Sequence, residues 1–183
     1  MDIAIRAARP AEYEELGEIT AQAYVGDGLL DSDAEFYAGV LRDVAARAAD
    51  GEVLVAIAPS GPHVGSRSGS HPDPGADADT LLGGVTFAPP GSPLADIAGP
   101  GEAEFRMLAV AREARGRGAG EALVRACAAR ARGLEGVTHL VLSTQRGMTG
   151  AQRIYERLGF VRTPERDWAP VPGLTLLTYR MEL

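Results

Sequence analysis

The residues Arg115, Gly116, Arg117, Gly118, Ala119 and Gly120 carry the clearest chemistry in this chain. They follow an apolar run, Phe105 to Val110, and open an alanine-rich stretch, Gly118 to Ala131, that reads as a helix. Glycines let the main chain approach a ligand closely, and the first turn of a helix presents N–H groups with no partner inside the helix. Together with the helix dipole, those groups favour an anion, above all a phosphate. A dinucleotide fold needs Gly-x-Gly-x-x-Gly after the first strand, with an acidic residue about 20 positions on. Here the glycine spacing is wrong and the turn comes late in the chain. A nucleotide-triphosphate loop needs a lysine, and all 18 basic residues are arginine. Two readings remain: Arg115-x-x-Gly118-x-Gly120 as a phosphate seat between strand and helix, or a glycine-rich turn that only reverses the chain.

Further on, Ala151-Gln152-Arg153-Ile154-Tyr155-Glu156-Arg157-Leu158-Gly159-Phe160 places Ala151, Ile154, Tyr155 and Leu158 on one helical face. Gly159 suits the left-handed position that stops a helix, and Phe160 starts the next strand. The two motifs, in this order with a strand between them, resemble the GNAT superfamily of N-acyltransferases. The first is similar to its acyl-coenzyme-A signature, Arg/Gln-x-x-Gly-x-Gly/Ala. The second is similar to its closing motif, Ala-x-x-x-Tyr-x-x-x-Gly-Phe. Glu104-Phe105-Arg106-Met107-Leu108-Ala109-Val110 is similar to its fourth strand. The resemblance covers residues 103–160.

That resemblance implies acetyl-CoA as cofactor, with its pyrophosphate on the main-chain N–H groups of Arg115 to Gly120. Arg117 adds a side-chain contact or stays solvated. The pantetheine arm pairs like an added strand with Leu108, Ala109 and Val110. The implied reaction is attack of a neutral amine on a thioester, in a ternary complex. The amine must lose a proton, the oxyanion needs a pre-aimed donor (the Leu108 N–H), and the departing thiolate needs a proton. Tyr155 is the candidate acid, because a phenol of pKa about 10 can donate while staying protonated at neutral pH. The alternative is a core tyrosine at helical spacing. Glu104 is the candidate base, directly or through water. By the two-residue period it shares a face with Arg106 and Leu108. The alternative is a surface Glu104–Arg106 pair. The family often has Asn three residues before the motif's alanine; Met148 stands there. Ser143 or Gln145, at the end of the fifth strand, is the expected substitute contact.

The acceptor side is implied by the same resemblance. It puts Tyr24, Asp27, Asp31, Asp33, Glu35 and Phe36 at the mouth, with Asp167 and Trp168 opposite. Carboxylates beside aromatics suit a small cationic amine; helix capping and core packing are the alternatives for each residue singly. A non-catalytic acyl-CoA sensor on the same fold is the rival function. Family members are often dimers, so a homodimer is a possible partner state.

The elements that must hold these residues follow from pattern. Residues 2–8 read as a strand, and helices follow from Glu12 to Tyr24 and, after the Ser32–Glu35 capping box, to Ala48. Strands at 52–58 and 81–88 flank residues 59–79, which are rich in Gly, Ser, Pro and Asp and read as a mobile hairpin loop. Then come strand 103–110, helix 118–131, strand 137–144, helix 149–158 and strands near 160–168 and 174–182. Hairpins mixed with helix crossovers imply an α+β class with a mixed sheet, in one domain spanning 1–183. The resemblance sharpens this to six or seven strands, splayed between the fourth and fifth, with four flanking helices. A length of 183 residues suits one core. The net charge of −7 argues against a nucleic-acid surface. No apolar run nears the roughly 18 residues of a membrane span, and no signal peptide is evident, so a cytoplasmic enzyme is expected. Cys127, the single cysteine, reads as a small core residue. His63, His71 and His139 have no metal-site spacing, and no metal is expected.

Overall fold

A computed structural model describes residues 2–25, 34–59, 79–171 and 173–183. Strand β1 (Ala4–Ala7) leads into helices α1 (Tyr13–Val25), α2 (Ala34–Arg42) and α3 (Val44–Asp50). Strands β2 (Glu52–Ala58), β3 (Thr80–Ala88) and β4 (Glu102–Val110) follow. Then come α4 (Ala119–Arg132), β5 (His139–Gln145), α5 (Thr149–Arg157), β6 (Val161–Arg162), β7 (Trp168–Val171) and β8 (Leu174–Glu182). The eight strands form one mixed sheet in the order β1-β2-β3-β4-β5-β8-β6, with β7 on β8. The α+β class and the crossover pattern are as expected from the sequence, with one more strand and one more helix among the described residues.

Both additions have local causes. The helix expected to run to Ala48 breaks at Asp43, whose backbone leaves helical geometry (ψ 72°) while its side chain accepts from the Ala46 N–H at 2.9 Å. An aspartate that caps a new helix outcompetes continuation of the old one. The run expected as one strand over 160–168 is cut by Thr163-Pro164, which starts a 3-10 turn at Pro164–Arg166. Proline has no N–H for a sheet ladder. The segment between β2 and β3, read as a mobile loop, lies largely outside the described residues.

The sheet buries a different apolar set on each face. Leu54, Phe87, Phe105 and Leu142 pack under α4 and α5, against Leu123, Val124 and Tyr155. Val53, Val55 and Ile57 pack with Leu16 of α1 and Val44 of α3. Cys127 is fully buried in the first cluster, and burial pushes its thiol pKa up, so it is a packing residue.

The site is created at β4. Its parallel pairing with β5 covers only Glu102–His139, Ala103–Leu140 and Glu104–Val141, after which the strands part. On its other edge the β3 register steps from Thr86–Arg106 to Gly84–Ala109, leaving Met107 and Leu108 against Val85 alone. This is a β-bulge, with Met107 in the left-handed region at φ 52°. The bulge corrects one sequence expectation. Leu108 does not share a face with Glu104; the extra residue turns it into the cluster of Ala103 and Phe105.

Candidate active site

A groove of about 750 Å³ opens where β4 and β5 part. One wall is Leu108, Ala109 and Val110; the floor is Arg115, Gly116, Gly118, Ala119 and Gly120; the far wall runs from Gly147 to Ala151 and on to Ile154 and Arg157. The turn is built as its composition demands. Gly116 and Gly118 sit at φ 75° and 93°, and Gly118 is the N-cap of α4. No side chain caps that end, so the first-turn amides of α4 face the groove without a capping acceptor. A Cβ at Gly120 would stand 3.2 Å from Ile154 Cδ1, so the bare glycine keeps α4 close to α5. These residues fit a diphosphate at a helix N-terminus with an extended arm running along β4. Among the described residues the β4 edge beyond Glu104 has no partner strand on the β5 side, which leaves main-chain groups there for such an arm, although the Val110 carbonyl accepts from Arg115 Nε at 3.3 Å.

Of the residues expected at the cofactor, Leu108, Ala109, Val110, Arg115, Gly116, Gly118, Ala119 and Gly120 meet in this groove. Arg117 is exposed beside it. Ser143 and Gln145 are outside its lining; they stay within β5, opposite Thr178 and Leu176. The wall they were expected to supply is formed instead by Gly147, Met148 and Thr149. Met148 is the N-cap residue of α5, and its sulfur accepts from the Thr144 hydroxyl at 3.6 Å. Glu121 also lines the groove, held by Arg125 at 2.8 Å and by Arg157 at 2.5 Å, which neutralises a carboxylate beside an anion seat.

Tyr155, also expected at the cofactor, is 4% exposed and outside the groove's lining. Its ring lies 5.8 Å from Phe105, 5.9 Å from Phe160 and 5.8 Å from Tyr179. Burial raises its pKa well above the usual phenol value. Gly159 ends α5 in the left-handed conformation, φ 94°, as its place in the motif requires.

Glu104 is fully buried, on the opposite face of the sheet from Tyr155. Its Oε2 accepts from the Ile97 N–H at 2.9 Å and the Ala98 N–H at 3.1 Å, while Oε1 has no partner. The surface pair with Arg106 does not form. Arg106 bonds Asp96 at 2.5 Å and the Leu94 carbonyl at 2.6 Å. Burial therefore outweighs the loop amides and the Arg106 charge, and the Glu104 pKa is raised. The sequence held no sign that the loop before β4 would fold back onto this carboxylate; such contacts depend on tertiary closure.

On the acceptor side, Tyr24 and Tyr37 are largely buried near Arg47 and Arg106, and burial raises both phenols. Asp167 accepts from Arg162 at 2.8 Å and from the Thr178 N–H at 2.8 Å, a structural pairing at the start of β7. Asp27, Asp31 and Asp33 lie outside the described residues, as do His63 and His71, and the side chains of Glu35 and Phe36 are likewise undescribed. His139 is held between the Thr138 hydroxyl at 2.8 Å and Arg180 at 2.7 Å. Among the described residues no group of three or more His, Cys, Asp and Glu is placed to hold a metal ion, and no helix is long and apolar enough to cross a membrane.

A splayed mixed sheet with a glycine-built anion seat at the split defines an acyl-coenzyme-A transferase architecture. The model of the acetyltransferase (GNAT) family matches residues 63–160, more than half of the chain, and the protein belongs to that family. Its cosubstrate is acetyl-CoA. Among solved structures, a GNAT acetyltransferase of Staphylococcus aureus Mu50 is similar over 100% of this chain and 99% of its own, at 15% identity and a TM-score of 0.63. The yncA protein of Salmonella typhimurium, solved with acetyl-CoA, covers 100% and 95%, at 18% identity and a TM-score of 0.58. NAA60 of Arabidopsis thaliana, solved with a bisubstrate analogue, covers 100% and 99%, at 19% identity and a TM-score of 0.62. No curated protein matches the chain in sequence.

Proposed function

We propose that the protein is an N-acetyltransferase that moves the acetyl group of acetyl-CoA to a primary amine by direct attack in a ternary complex. The observation that carries this is the split at β4, which leaves Glu104 on one face of the sheet and Tyr155 on the other. An amine arriving from the α1–α3 face meets the base side, and a thiol leaving toward α5 meets the acid side.

Bound acetyl-CoA supplies an activated thioester carbonyl. The chain does the rest. The amides of Arg115 to Gly120 hold the diphosphate, and the unpaired edge of Leu108 to Val110 fixes the extended arm. The bulged Leu108 N–H donates toward the carbonyl oxygen as charge grows there. Glu104, with one unbonded oxygen and a raised pKa, accepts the proton the amine sheds, directly or through a water. As the new C–N bond forms and the C–S bond breaks, the Tyr155 hydroxyl gives its proton to the departing sulfur. Solvent then returns a proton to Tyr155 and removes one from Glu104.

The test is release of free CoA thiol from acetyl-CoA over a panel of primary amines. Amine-dependent release above background supports the reading. Tight acetyl-CoA binding with no release over the whole panel replaces it with the non-catalytic sensor.

A further inference from the structure

Four buried side-chain polar atoms lack a hydrogen-bond partner among the described residues: Arg6 Nε, Arg47 Nε, Glu104 Oε1 and Trp168 Nε1. Buried polar atoms are nearly always bonded, so each exception points to a missing partner. Arg6 is already paired through its other nitrogens with Glu12 and Asp79 at the β1 edge. The remaining three share one face of the sheet around the split in β4. Glu104 pairs across to Val141, and the same side-chain row continues through Ser143–Thr178 and Gln145–Leu176 to Trp168. On the other flank, Arg47 donates to the Thr86 hydroxyl at 3.1 Å, and Thr86 stands opposite Arg106, two residues along β4 from Glu104.

The three atoms differ in kind. Glu104 offers an acceptor with no donor, which suits the amine. Arg47 and Trp168 offer donors with no acceptor. Arg47 is 4% exposed, and among the described residues no ion pair to a carboxylate forms at its guanidinium; its Nη atoms reach the Thr86 hydroxyl and the Leu41 carbonyl, while Asp43, whose carboxylate caps Ala46, acts on it only through space. A buried cation without a directly paired carboxylate is costly, and a bound carboxylate relieves it. Burial lowers its pKa to about 10, which leaves it charged at neutral pH.

Resting on the acetyltransferase reading, we propose that the acceptor is an amine that also bears a carboxylate, an amino acid in the broad sense, with the carboxylate on Arg47 and the amine at Glu104. This departs from the small cationic amine that the acidic sequence suggests. Asp27, Asp31 and Asp33, which that reading named, lie outside the described residues; the described acceptor side holds the buried arginine.

The experiment compares matched pairs in the thiol-release assay: L-leucine with 3-methylbutylamine, L-methionine with 3-(methylthio)propylamine, β-alanine with ethylamine, and 4-aminobutyrate with propylamine. Within the pairs the amine is kept and the carboxylate is removed, and the set varies their separation. The expected result is at least one acid whose kcat/KM exceeds that of its partner by roughly 30-fold or more, as for a lost charge-assisted contact of about 2 kcal/mol. In Arg47→Lys, checked for an unchanged melting profile, KM for that acid rises about tenfold or more while kcat holds within about twofold. Equal or better turnover of the decarboxylated amines, or no turnover of any of the four acids, overturns the carboxylate assignment and leaves the acetyltransferase reading standing. Failure of acetyl-CoA itself to bind overturns that underlying reading instead.

Discussion

Tyr155 and Glu104 are both buried, on opposite faces of the sheet, and the role proposed for each makes a prediction at the level of one side chain. The Tyr155 ring is wedged among Phe105, Phe160 and Tyr179, so Tyr155→Phe keeps the packing and removes only the hydroxyl. Steady-state kinetics should show kcat lowered by about 10²-fold or more, the range of general acid catalysis, with acetyl-CoA affinity changed less than about twofold. Equal loss of affinity and turnover would make the residue a packing group. For Glu104, a base must be ionised, so activity falls as pH drops through its pKa. Burial raises that pKa, so the acid limb of kcat/KM should lie above the ordinary carboxylate range. Glu104→Gln keeps an oxygen for the Ile97 and Ala98 amides and should erase the limb along with most of the rate. A limb that persists in that variant assigns it to another group. Both residues were legible in the sequence as types at a spacing. Their surroundings were not, because the Ile97–Ala98 amides and the Phe105 ring come from elements whose approach no local pattern encodes.

At the scale of elements, the bulge in β4 decides the site, and β3 is what tolerates it. A Cβ at Gly83 would run into the Ala109 carbonyl and the Val110 Cα. Gly83→Ala should therefore destabilise the fold by about 2 kcal/mol or more in urea unfolding and weaken acetyl-CoA binding together, since it pushes on the strand proposed to take the arm. Stability lost with affinity intact would separate β3 from the seat. The split between α2 and α3 makes a smaller prediction: Asp43→Ala removes the cap on Ala46 and should cost about 1 kcal/mol, with Asp43→Asn near neutral. Helix and strand periods placed β4, α4, β5 and α5 within two residues of their ends, because each carries one clean apolar face. They missed the break at Asp43, since Val40, Leu41 and Val44 keep helical spacing across it. They missed the turn of Leu108 because period-two reasoning assumes an unbulged strand.

For the molecule as a whole, one paired corner contributes to the acid response. Arg162 and the Thr178 amide hold Asp167 at a pKa of about 2, below the ordinary carboxylate value. Its contribution is fully present above that ordinary value and is lost as pH falls through about 2. Urea unfolding from pH 7 to 2 should show this loss in the wild type, and Asp167→Asn should flatten that part of the curve. The same fold should gain stability from its cosubstrate. Acetyl-CoA at about 100 times its dissociation constant adds about 2.7 kcal/mol, which for a chain this size raises the melting temperature by roughly 5–10 °C. The most direct measurement is calorimetric titration of acetyl-CoA into the wild type, Gly118→Ala and Gly118→Glu. The account predicts a one-to-one isotherm for the wild type, a modest weakening in the alanine variant from backbone strain alone, and loss of binding when a carboxylate enters the seat. No heat with the wild type, or equal affinity in Gly118→Glu, would contradict it.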